Sequence, residues 1–459
     1  MSKVNSVEEW LVKDGVHNFS SEEDYVSPED PLLLERLEWF QDQKLGLMMH
    51  WGPYAQLSTD ASWMLCDHEA EWSRKCADWD VDAATLKQQY FDTNKTFNPI
   101  RFQPERWAEL AADNGFKYLT FTTKHHDGFC MWDTKTTDYR VTGEDCPFHT
   151  HPYADICRQV FDAFRAKGLG ISAYFSKADW HTPSYWAPGM LAGEVMHRGS
   201  SYNPKKYPEL WEQFVQFTHQ QIMELLTDYG RIEMLWLDGG WVSAQNSQDI
   251  RLGEVVDKAR ETQPWLLAVD RTVGGAYENI ITPEQTLPEK PVHVPWESCI
   301  TMSKSWGFKY EDEYKSARQL IHILIEVVAK GGNLVLNVGP QPDGRLPHIA
   351  VERILEIGAW LSVHGEAIYG TRICEPYAGE HCFFTQKEGT TYAMYLYSSE
   401  TTQINQEIYL PLQHDIKQVD LIGSVEGLSF ERTAEGIIVH LPAHELTEQA
   451  PIAHTFRIS

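Results

Sequence analysis

Between about residues 40 and 340, amphipathic helical patterns alternate with short apolar runs. In one such unit, residues 106–111 have helical spacing up to Gly115, and the apolar run 117–121 follows. A glycine just past a helix supplies the left-handed turn that ends it. The same unit recurs in residues 160–175, 214–238 and 320–338. Helices that alternate with buried strands predict an α/β fold with parallel strand pairing.

Residues 45–50 and 265–270 add further strands, so at least six apolar runs end in polar or aromatic residues. This regularity favours a closed (β/α)8-like, TIM-type barrel over an open doubly wound sheet. A Gly-x-Gly-x-x-Gly phosphate loop follows none of these runs, which argues against a nucleotide-binding sheet. The segment 283–295 contains four prolines and is predicted to be an ordered loop rather than a helix.

The pattern changes after His364, where strand-like alternation continues without intervening helices. Alternating runs occupy residues 391–397, 406–410, 418–422 and 436–441. They predict a C-terminal antiparallel β-sandwich, with a barrel domain at 1–365 and the sandwich at 366–459. We expect a packing role for the sandwich, because no tryptophan follows Trp360 to offer an indole platform for a sugar.

Composition narrows the choice of partners. The formal net charge of -27 argues against binding to nucleic acid or to an anionic membrane surface. The hydrophobic content of 42% is ordinary for a globular protein, while 17 tryptophans favour carbohydrate only weakly, since indoles also fill barrel cores.

Targeting features are not visible in the sequence. Residues 1–20 are polar and lack a secretory signal pattern, and no run approaches the roughly 18 apolar residues of a membrane span. Eight cysteines occur without a Cys-x-x-Cys pair, which is typical of reduced thiols. We therefore expect a cytoplasmic protein, although a leader removed before residue 1 would leave the same sequence.

The residues that end the predicted strands are the candidates for chemistry. Asp238 is the most informative, because the apolar run 233–237 ends on this carboxylate and two glycines follow. The other strand ends supply His50, His125, His126, Tyr174, Trp236, Arg271, Glu297 and Asn337.

A metal site is one interpretation of these residues. His50, with His125 or His126, and Asp238 could hold a divalent ion. However, adjacent histidines on an extended strand point to opposite sides and do not easily bind one ion. We therefore expect neither a metal nor a cofactor, and activity that is sensitive to EDTA would contradict this expectation.

A sugar site is the favoured interpretation. Neutral histidines and Arg271 would donate hydrogen bonds to hydroxyls, and Trp72, Trp236 and Trp306 would form apolar walls. Two carboxylates would divide the work, one attacking the anomeric carbon and the other protonating the leaving oxygen before activating water. Arg271 or the nearby histidines would keep Asp238 ionised for attack.

A set of motifs along the chain resembles a known family, the retaining α-L-fucosidases of glycoside hydrolase family 29. The motifs are KLGLMMHWG at 44–52, TKHHDGF at 123–129, YFS at 174–176, WLDG at 236–239 and LNVGP at 336–340. Their order carries the resemblance, which spans about residues 30 to 370. It implies a catalytic barrel followed by a β-sandwich.

The resemblance also implies individual roles. Asp238 would be the nucleophile, and His50, His125, His126 and Tyr174 would contact fucose hydroxyls. The Glu71-Trp72 pair would grip the sugar, and Trp306 would lie near its C6 methyl group. An apolar wall favours that methyl group, because a methylene-scale difference is worth roughly 1–3 kcal/mol of discrimination.

Two residues are candidates for the general acid/base, because its sequence position varies within the family. Glu297 follows a short apolar segment and is expected to be held rigidly, whereas Glu284 lies on the proline-rich loop after Arg271. Rigidity suits a carboxyl group that must lie about 5–5.5 Å from its partner in a retaining enzyme. Glu297 is therefore the preferred candidate.

The expected function is that of an exo-acting α-L-fucosidase that releases terminal fucose with retention from fucosylated oligosaccharides or glycoconjugates. A retaining hydrolase of a related sugar, such as an α-L-galactoside, is the first alternative, and a catalytically silent fucose-binding lectin is the second. The resemblance suggests a possible homo-oligomer. Contacts to the aglycone are expected from residues 60–80 and 183–206.

Overall fold

The computed structural model describes residues 19–66, 73, 81–190, 197–424, 427–447 and 449–459. Seven parallel strands form the catalytic half of the chain. They are β1 (Leu45–Met49), β2 (Tyr118–Lys124), β3 (Gly170–Ser176), β4 (Met234–Asp238), β5 (Leu267–Asp270), β6 (Glu297–Thr301) and β7 (Asn333–Val338). Their order in the sheet is β5-β4-β3-β2-β1-β7-β6, so β1 lies between β2 and β7.

The two edge strands, β5 and β6, are joined by the segment 278–285, which takes the eighth position. Glu278 forms an antiparallel bridge with Val269 on one side, and Glu284 forms a parallel bridge with Cys299 on the other. These pairings curl the sheet into a (β/α)8-like barrel with seven regular strands in the described residues. The predicted fold class is confirmed, and the proline-rich segment is an ordered loop as expected.

Eight α-helices surround this barrel within the described ranges. They are α1 (Pro31–Gln43), α2 (Ala83–Phe91), α3 (Pro104–Asp113), α4 (Ile156–Ala166), α5 (Pro208–Asp228), α6 (Leu252–Arg260), α7 (Ala317–Ala329) and α8 (His348–His364). Two of the predicted helix stops, Gly168 and Gly230, have φ values of 79° and 74°. A residue with a Cβ would be strained there, which explains why glycine ends these helices.

Helix α1 covers the amino-terminal end of the barrel. Asp30 caps it by accepting a hydrogen bond from the Leu32 N–H at 2.8 Å, and Pro31 suits the first turn. Its buried face, which includes Phe40, packs into the apolar cluster inside the barrel with Tyr118. In the described part of the chain, this end of the barrel is therefore covered by α1.

The C-terminal strands form two antiparallel sheets. They are β8 (Arg372–Gly379), β9 (Cys382–Lys387), β10 (Thr390–Leu396), β11 (Glu407–Leu410), β12 (Val419–Leu421), β13 (Phe430–Arg432), β14 (Ile437–His440) and β15 (Ala453–Ile458). Five strands have the order β12-β15-β10-β9-β8, and three have the order β11-β14-β13. The sheets share their own buried core, which includes Phe384, Val439 and Phe456. The antiparallel sheets match the predicted sandwich, whereas the boundary at residue 365 stays a prediction.

Two further features concern the chain as a whole. In the described part of the chain, no helix is both long and apolar enough to cross a membrane. The seven described cysteines are all buried, and none of them forms a disulfide with another described cysteine, which agrees with the expected reduced thiols.

Candidate active site

A small pocket opens at the carboxyl ends of the strands, where the polar strand ends were predicted to meet. Its walls are formed by Met48, His50, Trp63, His125, Tyr174, Trp236, Asp238, Arg271, Glu284, Cys299 and Trp306. Eight of the residues predicted from the sequence are therefore in one place, because parallel strands deliver their carboxyl ends to the same face of a barrel.

Asp238 is the last residue of β4, and its side chain is held by three donors. Its Oδ1 accepts from the Arg271 guanidinium at 2.8 Å and from the Gly239 N–H at 2.7 Å. Its Oδ2 accepts from the Tyr174 hydroxyl at 2.5 Å. Gly239 has a φ of 84°, so the chain turns away sharply and leaves the carboxylate at the mouth.

The surroundings keep this carboxylate ionised. Burial alone would raise the pKa of Asp238, but Arg271 and the Tyr174 hydroxyl outweigh it and hold the pKa well below its usual range. The Asp238 side chain is still 14% exposed, toward the pocket. An ionised, partly open carboxylate at this position can act as a nucleophile.

Arg271 binds a second carboxylate at the same time. Its Nη2 donates to Glu284 Oε2 at 2.5 Å, while its Nη1 holds Asp238. Both carboxylates thus lie within the reach of a single guanidinium group. The loop that carries Glu284 is fixed to β6, since Cys299 N–H donates to Pro283 O at 3.1 Å and Gln285 N–H donates to Cys299 O at 3.0 Å.

Glu297 does not fit the role for which the sequence preferred it. It is the first residue of β6, so it lies at the amino end of the strand, inside the barrel, and is 0% exposed. Its carboxylate accepts from the Tyr118 hydroxyl at 2.6 Å and from the Trp236 indole N–H at 2.8 Å. The apolar run before Glu297 precedes the strand instead of forming it, so Glu297 lies at the end of the strand away from the pocket, and the choice between the two glutamates stays a prediction.

The three histidines form a cluster beside Asp238, with His126 Nε2 at 3.7 Å from Asp238 Oδ2. The ring centroids of His125 and His126 lie 4.1 Å apart, and those of His50 and His125 lie 5.5 Å apart. Burial lowers the pKa of His50 and of His126 to about 4, and it lowers the pKa of His125 well below the usual range. All three rings are therefore neutral at pH 7.

The positions of His125 and His126 correct the expectation that they point to opposite sides of a strand. Strand β2 ends at Lys124, so the two histidines lie on the turn after it and both rings face the site. One ligand atom from each of His125, His126 and Asp238 lies within 4.8 Å of the others, a spacing that could suit a metal ion. Against such an ion, Arg271 and Tyr174 already occupy the oxygens of Asp238. The expectation of no metal stays a prediction.

Aromatic side chains form the remaining walls. Tyr174 is stacked on Trp236 with ring centroids 5.3 Å apart, and the Arg271 guanidinium lies over Trp236 at 4.9 Å. Trp306 lies beside His50 at 4.9 Å, and Trp63 meets His126 edge-on at 5.0 Å. The pocket thus combines a charged end with an apolar, ring-lined end, an arrangement that suits a small sugar.

Some predicted and observed residues differ. Glu71 and Trp72 lie outside the described residues. Met48, Trp63 and Cys299 line the pocket, although none of them was a candidate from the sequence. Trp63 does belong to the segment 60–80, where aglycone contacts were expected. Met48 and Cys299 lie within strands β1 and β6, where an apolar strand residue carries no signal of pocket contact.

Comparisons with known proteins agree with this geometry. A sequence model described as alpha-L-fucosidase matches residues 16–366. The chain is 28% identical over 434 residues to the plasma alpha-L-fucosidase of Rattus norvegicus, covering 88% of this chain and 87% of that protein.

Solved structures show the same similarity. Alpha-L-fucosidase isoenzyme 1 from Paenibacillus thiaminolyticus has 29% sequence identity and a TM-score of 0.74, covering 93% of this chain and 99% of that one. The Thermotoga maritima alpha-fucosidase, solved in complex with a mechanism-based inhibitor, has 26% identity and a TM-score of 0.73, covering 94% and 100%. With the family match extending over most of the barrel, this chain belongs to the alpha-L-fucosidase family of glycoside hydrolases, family 29.

Proposed function

We propose that this protein is an exo-acting α-L-fucosidase that releases terminal L-fucose from fucosylated glycans with retention of configuration. One observation carries the proposal. A single arginine, Arg271, holds the carboxylates of Asp238 and Glu284 in a pocket whose other walls are mainly aromatic side chains. Two close carboxylates are the arrangement that double displacement requires.

In the first step Asp238 attacks the anomeric carbon of the fucosyl group. The bond from that carbon to the aglycone oxygen breaks, and Glu284 delivers a proton to the departing oxygen. A covalent fucosyl–Asp238 ester and a free alcohol result. In the second step Glu284 takes a proton from water, the water oxygen attacks the anomeric carbon, and Asp238 leaves as a carboxylate.

The assignment of Glu284 rests on its position. Its side chain is 10% exposed and lines the pocket, whereas Glu297 is fully buried below Trp236. Glu284 is bound to Arg271 in the absence of substrate, so it must exchange this partner for the glycosidic oxygen when a substrate binds. The Arg271 guanidinium can then remain hydrogen-bonded to Asp238 while the Glu284 side chain moves to contact the oxygen of the leaving group.

The aromatic walls support fucose over related sugars. Trp306 and Trp236 line the pocket as apolar surfaces, and a methyl group gains from such contact where a hydroxyl loses its water. An α-L-galactoside differs from an α-L-fucoside only by the C6 hydroxyl, so it is the closest alternative substrate. The ratio of kcat/KM for the two aryl glycosides tests this choice directly, and a ratio below one would favour the galactoside.

The catalytic pair can be tested with azide as an external nucleophile. Asp238→Ala should lose several orders of magnitude of activity on nitrophenyl α-L-fucoside, and azide should rescue it to give the β-fucosyl azide. Glu284→Ala should lose about 10²- to 10⁴-fold on a natural disaccharide, and much less on the aryl fucoside. Azide should then give the α-fucosyl azide, because it intercepts the covalent intermediate.

Glu297→Gln is the matched control for the acid/base. The amide keeps an acceptor for Trp236 or Tyr118 and removes only the capacity to exchange a proton. We expect Glu297→Gln to hydrolyse the natural disaccharide and the aryl fucoside at closely similar rates relative to the wild type. It should form no fucosyl azide. If Glu297→Gln shows the leaving-group dependence and Glu284→Gln does not, the assignment of Glu284 is wrong.

A further inference from the structure

Asn337, at the carboxyl end of β7, contacts both a histidine and an aromatic wall of the pocket. Its Nδ2 donates to the backbone carbonyl of Trp306 at 2.8 Å, and its Oδ1 lies 2.7 Å from His50 Nδ1. A carbonyl can only accept, so the amide nitrogen must face Trp306 and the amide oxygen must face His50. His50 therefore carries its proton on Nδ1.

Ser176, at the carboxyl end of β3, forms an equivalent chain to His126. Its hydroxyl donates to the backbone carbonyl of Ala178 at 2.7 Å, and its Oγ lies 2.7 Å from His126 Nδ1. Since the hydroxyl hydrogen points to that carbonyl, the oxygen must accept from His126. His126 thus also carries its proton on Nδ1. Both hydrogen-bond chains end at a backbone carbonyl, which can only accept, so the direction of the hydrogen bonds in each chain is fixed.

We propose that Asn337 and Ser176 are positioning residues that hold His50 and His126 as hydrogen-bond acceptors for two hydroxyl groups of the bound sugar. The inference rests on the proposed function and deepens it, because it names the residues that set the polarity of the pocket. Neutral rings protonated on Nδ1 present a bare Nε2 to the substrate. The two histidines then accept from the sugar, whereas the sequence led us to expect that they donate.

The surroundings of His126 support this polarity. Its Nε2 is buried and has no hydrogen-bond partner among the described residues. Oδ2 of Asp238 lies 3.7 Å from this nitrogen and is itself an acceptor. Two facing acceptors leave a place that only a donor can fill, and a sugar hydroxyl is such a donor.

Asn337 has a second consequence, because the same amide also fixes the backbone of Trp306. The acceptor polarity of His50 and the position of the apolar wall are therefore linked through one side chain. Loss of the amide should weaken recognition of a hydroxyl and of the C6 methyl group together. Ser176 makes no comparable contact with a pocket wall among the described residues, so its loss should affect hydroxyl recognition alone.

The variants Asn337→Ala, Ser176→Ala and Ser176→Thr test the inference, with Asn333→Ala as the matched control. Asn333 is buried on the same strand, and its Nδ2 also donates to a carbonyl, that of Phe40 at 2.7 Å, but it contacts no histidine in the described part of the chain. We expect the two alanine variants at the site to lose roughly 5- to 100-fold in kcat/KM, the range for an orphaned buried polar group. Ser176→Thr should keep most activity, and Asn333→Ala should lose thermal stability but keep its kcat/KM.

Deoxy and deoxyfluoro analogues of L-fucose, used as competitive inhibitors, report hydrogen-bond polarity. Fluorine cannot donate, so at two ring positions the fluoro analogue should bind the wild type as weakly as the deoxy analogue. In Asn337→Ala the proton of the His50 ring is no longer held on Nδ1 and can move to Nε2. The loss of affinity caused by fluorine at one ring position should therefore be smaller in this variant than in the wild type. A purely structural role would leave this ratio unchanged.

The outcomes separate the inference from the function on which it rests. If the wild type fails to hydrolyse aryl α-L-fucosides, the proposed function falls. If the wild type is active but Asn337→Ala and Ser176→Ala match it, the inference alone is wrong. It is equally wrong if His126→Ala and Ser176→Ala have additive losses in the double variant, since Ser176 is proposed to act through His126.

Discussion

At the residue scale, Arg271 is the group on which the site depends. It is 5% exposed and donates to the carboxyl groups of both Asp238 and Glu284, so it holds the two reacting groups together in the pocket. Its planar fork can donate from two nitrogens in fixed directions, whereas a lysine offers one point charge. A positive charge alone at position 271 would therefore not be enough to hold both carboxyl groups.

We expect Arg271→Lys to keep a positive charge but to lose about 10²-fold or more in kcat on aryl fucosides, because one ammonium group cannot hold both carboxylates in place. Steady-state kinetics with an active-site titration would measure the loss. Arg251→Lys is a matched control, since Arg251 also binds a carboxylate with two nitrogens, that of Glu212, but on the outer helices. Equal activity of both variants would contradict the role of Arg271.

The neutral histidines predict the acid side of the pH profile. Because burial lowers the pKa of His50 and His126 to about 4, neither gains a proton near pH 6.5 in the folded protein. Their acceptor role should persist to about pH 5 and be lost as the pH falls through about 4. The stability that these neutral rings contribute is complete above pH 6.5, the unfolded value, and declines as the pH falls toward 4.

The loss of the acceptor role at low pH can be measured from the pH dependence of kcat/KM on a nitrophenyl fucoside. The stability of the enzyme is checked by incubation at each pH. An acid limb with its midpoint near 6.5 would show that one of the histidines titrates at its ordinary value. His50→Gln would then identify which ring is responsible, because that variant removes one titrating group.

At the scale of elements, strand ends were the part of the site that the sequence predicted well. Asp238 and Tyr174 lie where the alternation of helices and strands placed them, because a hydrophobic run that ends on a polar residue marks the mouth of a barrel. Glu297 lies at the other end of its strand, since periodicity marks a strand without showing at which end a flanking polar residue lies. Pairing of β6 with β7 settles this and is not visible in one sequence.

The eighth position of the barrel shows a second limit of prediction from the sequence. The segment 278–285 joins β5 to β6 through isolated bridges and carries Glu284, yet its proline and mixed polarity give it no strand pattern. The turn with His125 and His126 was also misjudged, because β2 ends just before it. In both segments, pairing between strands that are distant in the sequence determines where the strand ends.

Behind this turn, a buried ion pair joins β2 to the loop after β3. Lys124 Nζ donates to Asp179 at 3.0 Å and to Gln221 of α5 at 2.9 Å, with side-chain exposures of 0% and 2% for the ion pair. Trp180, which follows Asp179, packs on His126 at 5.1 Å. The pair thus fixes the backbone on both sides of the histidine.

Lys124→Met should lower the free energy of unfolding by about 3–5 kcal/mol, because it leaves the Asp179 carboxylate buried without its partner. Urea denaturation would measure it. Lys95→Met is the control, since the Lys95–Asp92 pair is an exposed i,i+3 pair and such pairs contribute little. Equal changes in both variants would show that the buried pair has no special role.

At the scale of the whole molecule, helix α7 connects the barrel to the sandwich. Arg318 on this helix donates to the carbonyls of Tyr397 at 2.8 Å, Pro451 at 2.6 Å and Ala450 at 2.9 Å. His322, one turn later, contacts the carbonyl of Ile452 at 2.9 Å. The contacts lie outside the pocket, which suggests that the sandwich supports the barrel instead of taking part in catalysis.

Arg318→Ala should therefore lower the free energy of unfolding by about 3 kcal/mol, since three carbonyls lose a charged donor, while kcat/KM at 25 °C stays within about twofold. Arg353→Ala on α8 is the control, because Arg353 donates to one carbonyl, that of Lys315, and should destabilise less. A large loss of activity in folded Arg318→Ala would show that the sandwich influences the site.

The most direct test of the central claim is the configuration of the first sugar released. Proton NMR can follow wild-type hydrolysis of a nitrophenyl α-L-fucoside before the product mutarotates. Double displacement through Asp238 predicts that α-L-fucose appears first and that the β anomer grows in later. If β-L-fucose appears first, the reaction inverts configuration, and Asp238 and Glu284 cannot be the nucleophile and the acid/base of a double displacement.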